Sequence, residues 1–314
     1  MNTAIGVTGL RKSFSDHVVL DGIDLHVPAG TVFSLLGPNG AGKTTAVRIL
    51  STLITADAGT ITVAGHDVAT DPDGVRGAIG VTGQFSAVDR LLTGEENLRL
   101  MGELYRLPRQ ECHRRATALL EQFDLVGAGK KPAATYSGGM TRRLDLAMTL
   151  VGEPKVIFLD EPTTGLDPRS RHAMWDTIRE LVAGGVTVFL TTQYLEEADQ
   201  LADRIAVLDH GEIVAEGTPA ELKRRIPGGH VRLVFTDVRE LDTAARILGD
   251  PARDLEALTL TVPNDGSRRG LKALLDRLDD ASIETEALTV HTPDLDDVFF
   301  ALTGHPTNQN ASVS

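Results

Sequence analysis

Residues 37–45 read Gly37-Pro38-Asn39-Gly40-Ala41-Gly42-Lys43-Thr44-Thr45, which is the pattern G-x-x-x-x-G-K-[ST]. The run ahead of it, 32–36, is apolar, and the run behind it, 46–50, is helical in composition. The glycines therefore fall at a strand-to-helix turn. There they let successive backbone N–H groups face one point, at a helix start whose dipole favours an anion. Lys43 offers a point charge to β- and γ-phosphates, and Thr44 offers a hydroxyl to Mg2+. This stretch calls for a nucleoside triphosphate with Mg2+ as ligand, and it sets the chain among α/β P-loop proteins with a mostly parallel sheet.

Further along, Val156-Ile157-Phe158-Leu159 is an apolar strand that ends in Asp160 and Glu161. Ligands of open α/β sheets collect at the carboxyl ends of strands. Asp160 can hold the metal, through water, and Glu161 can orient and deprotonate an attacking water. A third β-rich run covers 186–191, and strands alternate with helices up to about residue 226. Residues 4–10 and 18–27 read as antiparallel strands flanking this core, and 204–209 with 212–216 as a hairpin turning at His210-Gly211. The helical stretches 95–106 and 109–123 have no strand between them, which places a helical subdomain at about 85–150.

A linker is expected at Pro227-Gly228-Gly229. Beyond it the strand-like runs 231–235, 258–262 and 283–290 interleave with helix-like runs 240–248, 270–278 and 295–302. The expected organisation is an ATP-binding domain over 1–226, a small α+β domain over 228–304 and a polar, disordered tail over 305–314.

Composition bounds the partners. The net charge is −13, whereas nucleic-acid binding needs a basic surface. The basic clusters Lys223-Arg224-Arg225 and Arg268-Arg269 each have an acid close by, Glu221 and Asp265, and read as solvated helix faces. No nucleic acid is expected. No apolar run approaches the ~18–20 residues of a membrane span, and the first residues carry no signal-peptide core. A membrane role has to pass through a separate partner. The single cysteine, Cys112, excludes an internal disulfide and suits a reducing compartment. Between Glu111 and His113 on a helix, it reads as an ordinary surface thiol.

From about residue 5 to 225 the chain resembles the ATP-binding subunits of ABC transporters. Tyr136-Ser137-Gly138-Gly139-Met140 resembles their signature, usually L-S-G-G-Q, again a serine and two glycines at a helix start. In the family this motif faces the γ-phosphate of ATP on the opposite subunit, which implies a nucleotide-sandwich homodimer. Phe14 resembles the aromatic that stacks on adenine. Gln84 resembles the glutamine that contacts the metal and links the site to the membrane subunit. Gly165-Leu166-Asp167 is similar to the loop that couples the two ATP sites.

The chain departs from the family at one position. The usual switch histidine is replaced in Thr191-Thr192-Gln193-Tyr194, and Gln193 can donate a hydrogen bond to phosphate but carries no charge.

That variant, with Leu295-Asp296-Asp297-Val298-Phe299-Phe300, resembles the daunorubicin/doxorubicin-resistance branch, which also includes lipid and other exporters. The resemblance implies an ATPase peripheral to the cytoplasmic face of the membrane. There it pairs with a separately encoded permease, drives efflux, and uses its C-terminal domain in assembly. DNA-repair relatives carry coiled-coil insertions or zinc-binding cysteines, and ribosomal ones carry two cassettes; neither feature occurs here. The features at Gln193 and 295–304 argue for export over import.

Overall fold

A strand buried at every position needs cover on both faces, and Val32–Leu36, Val156–Asp160 and Thr187–Thr192 are all such strands. The computed structural model describes residues 2–83, 86–225, 229–264, 267–291 and 293–304. It divides into two compact units, Met1–Pro219 and Ala220–Ser314.

In chain order the first unit begins β1 (Thr3–Phe14), β2 (His17–Pro28), β3 (Val32–Leu36), α1 (Lys43–Leu50), β4 (Ala58–Val63), β5 (His66–Asp67), α2 (Pro72–Ala78) and β6 (Ile79–Thr82). It continues through α3 (Gly94–Leu104), α4 (Arg109–Gln122), a 3-10 turn, α5 (Gly138–Leu150), β7 (Val156–Asp160) and α6 (Pro168–Ala183). It closes with β8 (Thr187–Thr192), α7 (Leu195–Leu201), β9 (Arg204–Asp209) and β10 (Glu212–Gly217).

The central sheet has the order β10-β9-β3-β8-β7-β6. All its neighbours are parallel except the β9–β10 hairpin. The carboxyl ends of β3, β8, β7 and β6 therefore come out along one edge, in register Leu36↔Thr192, Thr191↔Asp160 and Leu159↔Thr82. Alternate side chains serve opposite faces. Ile157, Leu159, Val188 and Leu190 join Leu144, Ala147, Trp175 and Ile178 beneath α5 and α6. Val156, Phe158 and Phe189 join Phe33, Val47 and Ile49 on the other face, where Phe33 and Phe189 stack with ring centres 5.6 Å apart. A second, antiparallel sheet, β2-β1-β4-β5, packs into that latter core.

The mostly parallel sheet, the antiparallel sheet and the helical stretch between β6 and β7 are the expected architecture. β4, β5, α2 and β6 were not expected. Cys112 is a correction: it is buried on α4 beside Gly102 of α3, and its thiol faces the Leu107 carbonyl at 3.4 Å. The helix turns positions 112, 116 and 119 inward together, whatever the charges at 111 and 113.

α8 (Pro219–Arg224) spans the division between the units, ahead of the residues where a linker was expected. Residues 226–228 lie outside the described ones. The second unit holds β11 (His230–Val234), α9 (Val238–Leu248), β12 (Ala252–Asp254), β13 (Thr259–Pro263), α10 (Arg268–Asp280), β14 (Ala287–His291) and α11 (Leu295–Thr303). Its antiparallel sheet has the order β12-β13-β11-β14 and closes over Val231, Leu233, Leu241, Leu260, Leu274 and Leu278. Leu295, Val298 and Phe299 of α11 are buried, while Phe300 is exposed. The tail 305–314 lies outside the described residues.

Candidate active site

The loop between β3 and α1 is shaped by close backbone approaches. A Cβ on Gly37 would stand 2.2 Å from the Leu208 carbonyl oxygen, so only glycine fits. Gly42 caps α1 in the left-handed region, φ 110°, with a virtual Cβ 2.9 Å from the Val19 oxygen. No side chain caps α1 and its first turn carries no acid, which leaves its N–H groups for an anion. Lys43 is buried at the root of this loop. Its ammonium donates to the carbonyls of Gly37 (2.8 Å) and Pro38 (3.0 Å) and lies 3.6 Å from Glu161 Oε1. Burial lowers the Lys43 pKa, and Glu161 and Asp160 oppose that shift. The ammonium at the root of this loop can serve as a point charge for phosphate oxygens.

Strand register brings the two acids to the same edge. Asp160, buried at the end of β7, accepts from the Thr191 hydroxyl of β8 and from the exposed Thr44 hydroxyl at 3.3 Å. Thr44 Oγ1 and Asp160 Oδ1 are hard oxygen donors 3.3 Å apart. They suit Mg2+, which keeps waters and phosphate oxygens for its remaining positions. Glu161 adopts φ 49°, left-handed although not glycine. Its N–H donates to the Thr191 carbonyl at 3.1 Å, and the Thr164 hydroxyl donates to its Oε2 at 3.3 Å. The turn aims the carboxylate back toward Lys43. Gln193 follows β8 directly and is half-buried at this edge.

Phe14 stands 47% exposed at the end of β1, with the Lys12 ammonium 5.3 Å from its ring centre. Gln84 lies outside the described residues. Ser137 caps α5, accepting from Met140 N–H at 3.3 Å, and both Ser137 and Gly138 are exposed. Asp167 caps α6 through Ser170, whose N–H and hydroxyl hold its carboxyl below the usual range. A Cβ on Gly139 would meet Ser170 Oγ at 2.7 Å. The motifs at 137–139 and 165–167 thus lie against each other. Among the described residues no hydrogen bond joins either of them to the loop 37–45.

Sequence reasoning missed four polar residues of this edge: Thr191, Arg142, Asp145 and Glu197. Thr191 had a readable signal, as the residue that ends the β-rich run 186–191, and the structure pairs it with Asp160. Glu197 sits in a charged pair but is fully buried, with Thr163 Oγ1 (2.8 Å) and Trp175 Nε1 (3.2 Å) donating to one oxygen. Burial raises its pKa.

The family model described as ABC transporter matches residues 20–164. The daunorubicin resistance ATP-binding protein DrrA3 of Streptomyces coeruleorubidus is 50% identical over 305 residues, 96% of each chain. The chain belongs to the ATP-binding subunits of ABC transporters. The daunorubicin/doxorubicin resistance ATP-binding protein DrrA of Streptomyces peucetius is 47% identical over 99% of this chain and 97% of its own. Among solved structures, an ATP-binding cassette of an ABC transporter in its ADP conformation superposes with a TM-score of 0.65 at 26% identity. The match covers 70% of this ABC subunit and 93% of that chain. The subunit is therefore an ABC ATPase that binds and hydrolyses ATP for a transporter with a membrane partner. Among its described residues no helix is long and apolar enough to cross a membrane.

Proposed function

We propose that this ABC ATPase drives the efflux of drugs or other amphipathic compounds through a separately encoded permease, docked at the cytoplasmic face of the membrane. The observation that carries the reading is the near-full-length identity, 50% over 96% of the chain, to a protein named for daunorubicin resistance. That match runs through the C-terminal unit as well as the ATPase unit. In this reading the loop Gly37–Thr45 binds the phosphates, Lys43 takes up the charge of the β- and γ-phosphates, and Phe14 stacks on adenine. Thr44 and Asp160, with Gln84, hold Mg2+, which neutralises phosphate charge when bound. Glu161 orients a water and takes its proton as the water's oxygen bonds to the γ-phosphorus and the β–γ bridging bond breaks. Gln193 donates to a γ-phosphate oxygen. Ser137, Gly138, Gly139 and Asp167 complete the site on a second copy of the chain, which the exposure of Ser137, Gly138 and Asp167 supports.

Two variants test the chemistry. Lys43→Ala abolishes tight MgATP binding. Glu161→Gln keeps binding but lowers turnover by about a hundredfold or more, within the span ascribed to general bases. Nucleotide affinity and phosphate release, measured side by side, separate the two; parental turnover in Glu161→Gln removes Glu161 from the mechanism. Drug accumulation in cells co-expressing the permease tests the direction of transport.

A further inference from the structure

Arg142 lies on α5, the helix capped by Ser137, and its side chain is only 13% exposed. It looks like one of two adjacent basic residues on a helix, yet all its donors are engaged. Nε–H donates to the Pro162 carbonyl at 2.8 Å. Nη1 donates to the Gly83 carbonyl at 3.1 Å and to Asp145 Oδ2 at 3.3 Å. Nη2 donates to the carbonyls of Asp160 and Glu161, both at 3.3 Å. A guanidinium has five N–H groups in a fixed planar fork, so each is used, and four of the five acceptors are backbone carbonyls. Asp145, one turn on and buried, completes the arrangement: its other oxygen accepts from Ala87 N–H at 2.9 Å. Burial pushes the Asp145 carboxyl up, and Ala87 N–H and Arg142 oppose that shift.

The acceptors are not arbitrary. Three consecutive carbonyls, 160 to 162, form the turn in which Glu161 takes its left-handed backbone. A non-glycine residue there costs of order 1–3 kcal/mol and persists only where its surroundings hold it. Thr191 holds that turn from the N–H side, and Arg142 holds it from the carbonyl side. Gly83 ends the stretch after β6, and Ala87 lies beyond 84–85; both are tied to the same helix.

We infer that Arg142 is a positioning residue for ATP hydrolysis: from the signature helix it grips the turn at 160–162 and fixes the direction of the Glu161 carboxylate. This rests on Glu161 being the base that activates water. A displacement of α5, whose N-terminus carries Ser137 to Gly139, is passed through the fork to that carboxylate. Lysine cannot substitute, because an ammonium has three donors on a flexible stem and no planar fork.

The test uses the full-length subunit, with its membrane subunit where turnover requires it. The variants are Arg142→Lys and Arg142→Gln/Asp145→Asn; the second removes both charges and leaves no unpaired buried ion. Turnover falls about ten- to a hundredfold in each, the scale on which a reacting group misplaced by about 1 Å acts. MgATP affinity stays within about twofold, since the phosphate loop is untouched, and circular dichroism at the assay temperature shows each variant folded even where its unfolding midpoint falls. Parental turnover in either folded variant, or a loss of rate that only follows a loss of affinity, overturns the inference. Glu161→Gln is run in parallel. If it is inactive while Arg142→Lys is fully active, the positioning role alone fails. If it is itself active, the base assignment fails and takes the positioning role with it.

Discussion

Gln193 can donate an amide hydrogen to a phosphate oxygen but has no proton to exchange near neutrality. A neutral hydrogen bond is about half as strong as a charge-assisted one, and it matters most while the γ-phosphate is in transit. Gln193→Ala is therefore expected to lower turnover more than it lowers ATP affinity, with the difference constant across neutral pH. Equal turnover in parent and variant at every pH reduces the residue to a spacer. Glu197 is the titrating group nearby. Its unfolded pKa is the ordinary one, near 4.5, and burial raises the folded one. The unfolded chain thus gives up this proton at a lower pH than the native chain does. The contribution of Glu197 to stability is intact below the ordinary carboxylate range and declines as pH rises toward the folded pKa. Glu197→Gln cannot ionise. Its unfolding midpoint relative to the parent should shift in the variant's favour as pH rises above the ordinary carboxylate range, as read by thermal melts. A pH-independent difference places the ionisation of Glu197 outside the stability balance.

Among the elements, α3 and α4 cross at a contact that only a small residue allows. A Cβ on Gly102 would stand 2.7 Å from Cys112 Sγ and 3.1 Å from its Cβ. Gly102→Ala should cost about 1–3 kcal/mol, the usual range for overpacking. Cys112→Ala should recover part of that loss, measured by denaturant titration of the single and double variants. Equal losses in the two backgrounds exclude the contact. The same pair shows what could be read from the sequence. β3, β7 and β8 were legible because a strand covered on both faces is apolar throughout. β6 was not: it has four residues including Gly80, where a Cβ would stand 2.9 Å from the Thr149 carbonyl of α5. β5 has two residues, too few for any periodicity. Cys112 was misplaced because charged neighbours in sequence outweighed the 112–116–119 spacing. The phosphate loop and both acids were visible, since their chemistry requires fixed residue types at fixed offsets, and Gln193 stood out as the departure from the family's switch histidine. Arg142 and Asp145 were not visible, because apart from each other their main partners are backbone groups, carbonyls for Arg142 and the Ala87 N–H for Asp145, and these leave no mark on a sequence.

The whole chain is two units with separate cores. Every motif proposed to face phosphate falls in Met1–Pro219, and for Ala220–Ser314 we propose the assembly role that the resemblance implies. Removing residues 228–314 should leave MgATP affinity unchanged and reduce the permease retained on affinity purification. A truncated protein that keeps its helical circular dichroism yet no longer binds nucleotide contradicts that division of labour. The lone tryptophan, Trp175, is buried against Glu197 in the first unit. The three tyrosines, Tyr105, Tyr136 and Tyr194, also precede Pro219. The second unit is consequently dark at 280 nm. Intrinsic emission watches the ATPase half alone, while far-ultraviolet ellipticity sums both halves. The gap between those two melting curves measures how far the halves unfold independently, with no label attached.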